Sequence, residues 1–230
     1  MQATSQGATA SDELPTGDRL KRWWTLASLT KEGMASTRWG RFARWLSVGV
    51  AVLYGVRLLG DEGPSALRHG LAALMWPVLA TFPALFGLAR ASQRALEQLA
   101  RLHGLNGRES SSARVLARIT LVATPLMWST LAIWLCFAVN LDSLRGALLA
   151  LVGLSTTLLV QLGLAGVVSA TTAVCEQLSP TRPQRTLWLL VLVPAVLRPV
   201  VPELPSVWDA YEHWVTWSVT LGTDTVGTES

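Results

Sequence analysis

From Gly146 to Cys175 the chain carries no Asp, Glu, Lys or Arg. A run of that length and character suits the core of a lipid bilayer, which a helix crosses in about 20 apolar residues. In lipid each backbone N–H and C=O must be paired within the protein, which leaves helices or closed barrels. Nothing in the sequence alternates with period two as barrel strands do. Four other apolar runs stand beside it: Trp45–Leu59, Leu71–Ala89, Ile119–Val139 and Leu187–Val201. Half the residues are apolar and only 15% are charged, against about a quarter in a soluble domain. The expectation is an all-α, polytopic helical membrane protein, with five transmembrane helices plus amphipathic interfacial helices.

The runs differ in quality. Leu71–Ala89 contains Pro77 and Pro83, which should kink it. Gly146–Cys175 is longer than one crossing needs, so it tilts or projects. Leu187–Val201 is short and holds Pro194, Pro199 and Arg198. A sixth crossing over 206–221 would enclose Asp209, Glu212 and His213, and a central charge costs about 2.5–3.5 kcal/mol. Val207, Tyr211, Trp214 and Val215 instead share one helical face. That favours an outer interfacial helix anchored by Trp208, Trp214 and Trp217, or a re-entrant hairpin. Residues 1–18 read as a disordered tail and 19–44 as an amphipathic helix on the inner leaflet. The transmembrane domain is 45–205, with a helical cytoplasmic loop over 90–118, and 206–230 are the outer helix and tail.

Lys and Arg set the orientation. They crowd the segment before Trp45, the loop after the second run (Arg90, Arg94, Arg101, Arg108, Arg114, Arg118) and the loop after the fourth (Arg182, Arg185). The intervening loops have one Arg each, and nothing basic follows Arg198. The pattern predicts a multi-pass protein of the inner (plasma) membrane, N-terminus cytoplasmic and C-terminus outside. The net charge of +4 is then a signature of topology, and no nucleic-acid partner is expected.

No chemistry of a catalyst is visible. The five runs contain no Asp, His or Lys, whereas intramembrane catalysis needs reactive groups at depth. His69, His103 and His213 are scattered without ligand spacing, so no metal or other cofactor is expected. Cys136 and Cys175 fall near opposite ends of their spans, too far apart for a disulfide, and read as buried thiols. Inside the fourth run Gln161 needs an interhelical hydrogen bond. Gly163, Gly166 and Ala170 offer small surfaces for a neighbouring helix or a substrate path.

The most polar internal stretch, "RALEQLARLHGLNGRESSSARVLARI", separates two apolar runs. Ala89–Leu102 is rich in helix formers. "HGLNG" should end that helix, with Gly104 and Gly107 available for left-handed geometry. A Ser from the Ser110–Ser112 run can cap the next. Leu96, Leu99 and Leu102 form an apolar face needing a cover, either the protein's own bundle or a partner.

The order of basic N-terminal helix, span, outer loop, span, Leu96-Glu97-Gln98-Leu99 helix, basic loop and span resembles the ABC-2 type permeases. The resemblance is to the short permeases of the cytochrome c maturation kind. It extends from Leu20 to Asp209 and includes "GVVSATTAVCEQLSPTRPQRTLWLLVLVPAVLRPVVPELP". The family's sixth span is missing, as is the Pro that often follows the Leu-Glu-Gln-Leu helix. Arg90 and Arg94 replace its acidic pair. The resemblance implies a membrane-spanning permease subunit that moves a substrate with energy from a separate ATP-binding subunit. Leu96, Glu97, Gln98, Leu99 and Leu102 would form the coupling surface, in a homo- or hetero-dimer. The chain has no G-x-x-x-x-G-K-S/T run of its own. The same cytoplasmic elements would also serve a multi-span membrane regulator, anti-sigma-factor-like, that sequesters a cytoplasmic partner.

Overall fold

A computed structural model describes residues 16–60, 63–87, 90–141, 143–179, 182–197 and 207–223. Most of the expected N-terminal tail, the Arg198–Pro205 segment and residues 224–230 lie outside these. The described residues are helical with no strand. In chain order the helices are α1 (Thr16–Ala35), α2 (Arg38–Leu59), α3 (Gly63–Ala73), α4 (Met75–Leu85), α5 (Arg90–Leu102), α6 (Gly107–Ala138), α7 (Leu144–Leu178), α8 (Pro183–Leu197) and α9 (Val207–Thr223).

Three of them, α2, α6 and α7, are long and apolar enough to cross a membrane by length and composition. The expected Leu71–Ala89 span takes in the last three residues of α3 and the whole of α4, two helices of 11 residues each, about 16 Å apiece. Pro77 explains the interruption. It has no N–H to give the carbonyl of residue 73, and its ring clashes there. The chain steps out of helix at Leu74, where the Leu74 N–H bonds the Leu71 carbonyl at 3.2 Å in a tighter turn. Pro83 is tolerated inside α4, which ends two residues later. The Leu187–Val201 expectation coincides with the 15-residue α8 as far as Leu197.

The polar stretch resolves into α5 and the first turns of α6. Gly104 takes φ +68°, and the Leu105 N–H returns to the Ala100 carbonyl at 2.9 Å, closing α5 with a left-handed terminus. Gly107 is already helical. The cap of α6 is Asn106, not a serine. Its side chain accepts from the Glu109 N–H, and the Glu109 carboxylate accepts from the Asn106 N–H, both at 2.8 Å. This reciprocal box starts the helix three residues before the serines. α6 then runs unbroken through the expected Ile119–Val139 span, its 32 residues covering about 48 Å.

Two ends of the bundle can be defined by what meets there. At the first, α1 turns into α2 through Thr37, whose hydroxyl caps α2 by accepting from the Gly40 N–H at 3.0 Å. Thr37 also lies beside Gly87, just past α4. At the same end Arg118 of α6 meets Glu176 of α7. At the far end Leu58, Gly63, Phe137, Asn140, Leu141 and Thr223 surround one cleft. There the Asn140 side-chain amide donates to the Leu58 carbonyl at 2.6 Å. The α3–α4 pair thus links the two ends. α8 starts just after α7 finishes at the first end, and α9 finishes at the far end.

α9 packs lengthwise on α7 and α3. Its inner face is Tyr211, Val215, Ser218, Val219 and Gly222. Tyr211 and Val215 match the expected face, but Trp214 is half exposed and stacks edge-on against Trp217 at 5.5 Å. Trp134 of α6 is buried between Gly153 of α7 and Gly222 of α9. Any side chain at either glycine would strike its indole, so both are required by the close approach.

Candidate functional site

The interior is apolar apart from a small set of polar groups deep in the bundle. Gln161 is fully buried on the inner side of α7. Its amide nitrogen donates to the hydroxyl of Thr130 on α6, also fully buried. Beside Gln161 lies Tyr211 of α9, whose hydroxyl donates to the Leu71 carbonyl at 3.0 Å. That carbonyl is the one displaced from regular helical bonding by the break between α3 and α4. α9 therefore plugs the break in α3–α4, and Gln161 stands at the junction. Among the described residues the Gln161 carbonyl oxygen and the Trp134 indole N–H have no hydrogen-bond partner. A buried polar group left so costs about 1–3 kcal/mol.

Gln161 thus has the interhelical bond expected of it. The three small residues grouped with it do not share its side of α7. Gly163 and Ala170 are exposed and Gly166 is partly so. A methyl group at Gly163 or Gly166 would meet nothing within 4 Å. Among the described residues they pack against no helix. The glycine of α7 that does is Gly153. The sequence places Tyr211 on a helical face but gives it no polar partner, and it does not point to the Leu71 carbonyl. The Tyr sits among acidic residues, and a backbone acceptor at a helix break has no side-chain signature.

The expected coupling residues lie at the first end. Leu96 and Leu99 turn inward onto a small core of Leu26, Ala27, Ala100, Leu105 and Ala113, with Trp23 beside them. The Trp23 indole N–H donates to the Ser112 hydroxyl at 2.9 Å, tying α1 to α6. Leu102, in contrast, is 83% exposed. Glu97 and Gln98 are exposed too, with Glu97 3.7 Å from Arg114. The five residues therefore divide into two that hold α5 to its own bundle and three that face outward.

Cys136 and Cys175 are free thiols at opposite ends of the bundle, Cys175 buried and Cys136 half-buried beside Gly55. No group of His, Cys, Asp and Glu among the described residues could hold a metal ion.

The outer surface of α2, α6 and α7 is covered with Val, Leu and Trp. The fold is all-helical among the described residues, and such apolar helices are compatible with a membrane protein. No family model matches this chain, and neither a curated protein nor a solved structure matches it.

Proposed function

We propose that this chain is a permease-like subunit of an ABC transporter in the inner (plasma) membrane, energised by a separate ATP-binding subunit and working as a homo- or hetero-dimer. One observation carries the reading: the interrupted α3–α4 path and α9 meet at a buried polar junction of Leu71, Tyr211 and Gln161. Interrupted helices deep in a bilayer are where transporters place groups that bind or move. At the break the Leu71 carbonyl accepts both the Leu74 N–H and the Tyr211 hydroxyl.

Counting α3 with α4 as one crossing and α8 with α9 as another gives five in all, with α2, α6 and α7. An odd number agrees with the Lys and Arg alternation, which puts the α1 end in the cytoplasm. A reporter fused after Leu105 should then register cytoplasm, and one fused after Gly222 the exterior. A cytoplasmic signal after Gly222 would overturn this topology.

Coupling to the ATP-binding subunit falls to the outward side of α5. Glu97, Gln98 and Leu102 form the docking surface, while Leu96 and Leu99 hold the helix in place. Burying one leucine contributes about 1.5–3 kcal/mol, so Leu102→Ala should weaken docking roughly tenfold. The test is co-purification with an ATP-binding subunit encoded beside this chain, alongside a melting curve of the chain alone. Leu102→Ala and Glu97→Lys should reduce the complex and leave the melt nearly unchanged. An undiminished complex would end the coupling role.

The inward turn of Leu96 and Leu99 supports a second reading. α1, α5 and the start of α6 make a self-contained cytoplasmic module, as a membrane regulator of the anti-sigma-factor kind would need. In that case a sigma factor encoded next to the chain, and no ATP-binding subunit, should co-purify with it.

A further inference from the structure

The outer side of α2 and α6 is not smooth. A groove of about 270 Å³ opens near the first end between Lys31, Arg44, Ser47, Leu121 and Trp128. A second, of about 420 Å³, continues along α2 and α6 past Ala51, Val52, Gly55, Leu59 and Cys136. The two share Val48, Trp128 and Ser129, so they form one channel along the helix pair. From Arg44 to Leu59 it spans about 22 Å of helix. Small residues shape it: Gly55 lets the wall recede where Cys136 faces it.

The two parts differ in chemistry. The mouth has two cations, Lys31 at the end of α1 and Arg44 in the second turn of α2. Arg44 gives one guanidinium N–H to the Ala35 carbonyl at 2.9 Å, which fixes its position and leaves other donors free to point outward. Among the described residues no acidic side chain lines either part. Beyond Ser47 and Ser129, which bond one another at 2.6 Å, the walls are apolar. Trp39, Phe42 and Trp45 are exposed on α2 near the mouth, the type of residue that sits at headgroup level.

We propose that this groove holds one anionic phospholipid, its phosphate against Lys31 and Arg44 and one acyl chain lying along Val48, Val52 and Gly55. Charge complementarity selects the occupant. A phosphate answers two cations that form no ion pair among the described residues, while only a lipid places a long apolar chain directly below its phosphate. A helix from a second copy would fill the apolar part but leave the cations unanswered. The site is independent of whether the chain transports or regulates.

The full chain, purified in mild detergent, can be titrated with phosphatidylglycerol and with phosphatidylcholine of the same acyl chains. Bound lipid is read by native mass spectrometry and melting temperature. Phosphatidylglycerol should be retained and raise the melt, and phosphatidylcholine should do so far less. A basic residue at a membrane surface contributes about 1 kcal/mol of attraction to anionic lipid. The double change Lys31→Gln, Arg44→Gln should therefore weaken phosphatidylglycerol binding roughly thirtyfold. Lys31→Gln alone, which leaves the Ala35 contact intact, should account for about fivefold. Val52→Trp, at an exposed position in the acyl part, should block retention without lowering the lipid-free melt. Inorganic phosphate should have no comparable effect. Equal retention of the two lipids, an unaffected double variant, or a phosphate shift matching the lipid's would each overturn the proposal. So would a dimer that Val52→Trp dissolves, because a second copy would then fill the groove.

Discussion

Gly153→Leu should abolish stable folding of the bundle, and even Gly153→Ala should be clearly destabilising. A methyl at this position would overlap the Trp134 indole and lie 3.0 Å from both the Ser218 carbonyl and the Gly222 Cα. Neither neighbour can yield easily. Trp134 is rigid and buried among α6, α7 and α9, and the other two contacts are backbone. Overpacking of a tight core costs about 1–3 kcal/mol and sometimes more. The alanine change belongs within that range and the leucine change beyond it. Gly163 is the control. It is in the same helix with open space around it, so Gly163→Ala should stabilise by about 0.5–1 kcal/mol through helix propensity. Thermal unfolding of the purified chain in micelles compares the two. Equal responses at 153 and 163 would mean that α9 does not pack on α7 as described.

The contrast between these glycines shows where sequence reading stops. α7 is apolar on nearly every side, so periodicity does not identify its inner face. Gly163, Gly166 and Ala170 drew notice because their spacing suits close helix approach, yet that side is open in this chain. Gly153 has the same four-residue spacing to Thr157, so spacing does not tell the inner side from the outer, and its role depends on a tryptophan 19 residues earlier and a glycine 69 residues later in the chain (153 − 134 and 222 − 153). Helical content was legible, because apolar runs in lipid leave few alternatives. The break in α3–α4 was legible only as a kink. Pro77 announces a lost hydrogen bond to residue 73, but the packing that holds the break includes Tyr211 on the Leu71 carbonyl, from 140 residues away. Gln161 was legible as a buried polar group seeking a bond, since a lone amide in an apolar helix has few other uses. The fate of Leu96 and Leu99 was not legible. An apolar face on a short helix specifies burial, while Trp23 and Ala113, which complete the cover, are distant in sequence.

Removing either partner of the Arg118–Glu176 pair should destabilise the protein far more than removing both. The guanidinium and carboxylate meet at 2.5 Å, joining α6 to α7 at the first end. The Arg118 side chain is 8% exposed and that of Glu176 35%, so the arginine depends on its partner far more than the reverse. Glu176→Leu leaves a buried cation without an anion, which costs about 3 kcal/mol, the lower end for a broken buried pair because Glu176 reaches water. Arg118→Leu strands only a carboxylate that can solvate, and should cost about half as much. With both changed to leucine, no charge remains to be desolvated, and packing should recover most of the loss. The double-mutant cycle therefore predicts a coupling energy of about 2 kcal/mol or more, well above the 0.5 kcal/mol within which independent sites add. It is measured by unfolding the four proteins under one detergent condition. Additive losses would show that the pair is solvated and that α6 and α7 are held together by apolar packing alone. A strong coupling would identify this contact as the clamp that keeps the two longest helices in register at the end where α5 is anchored.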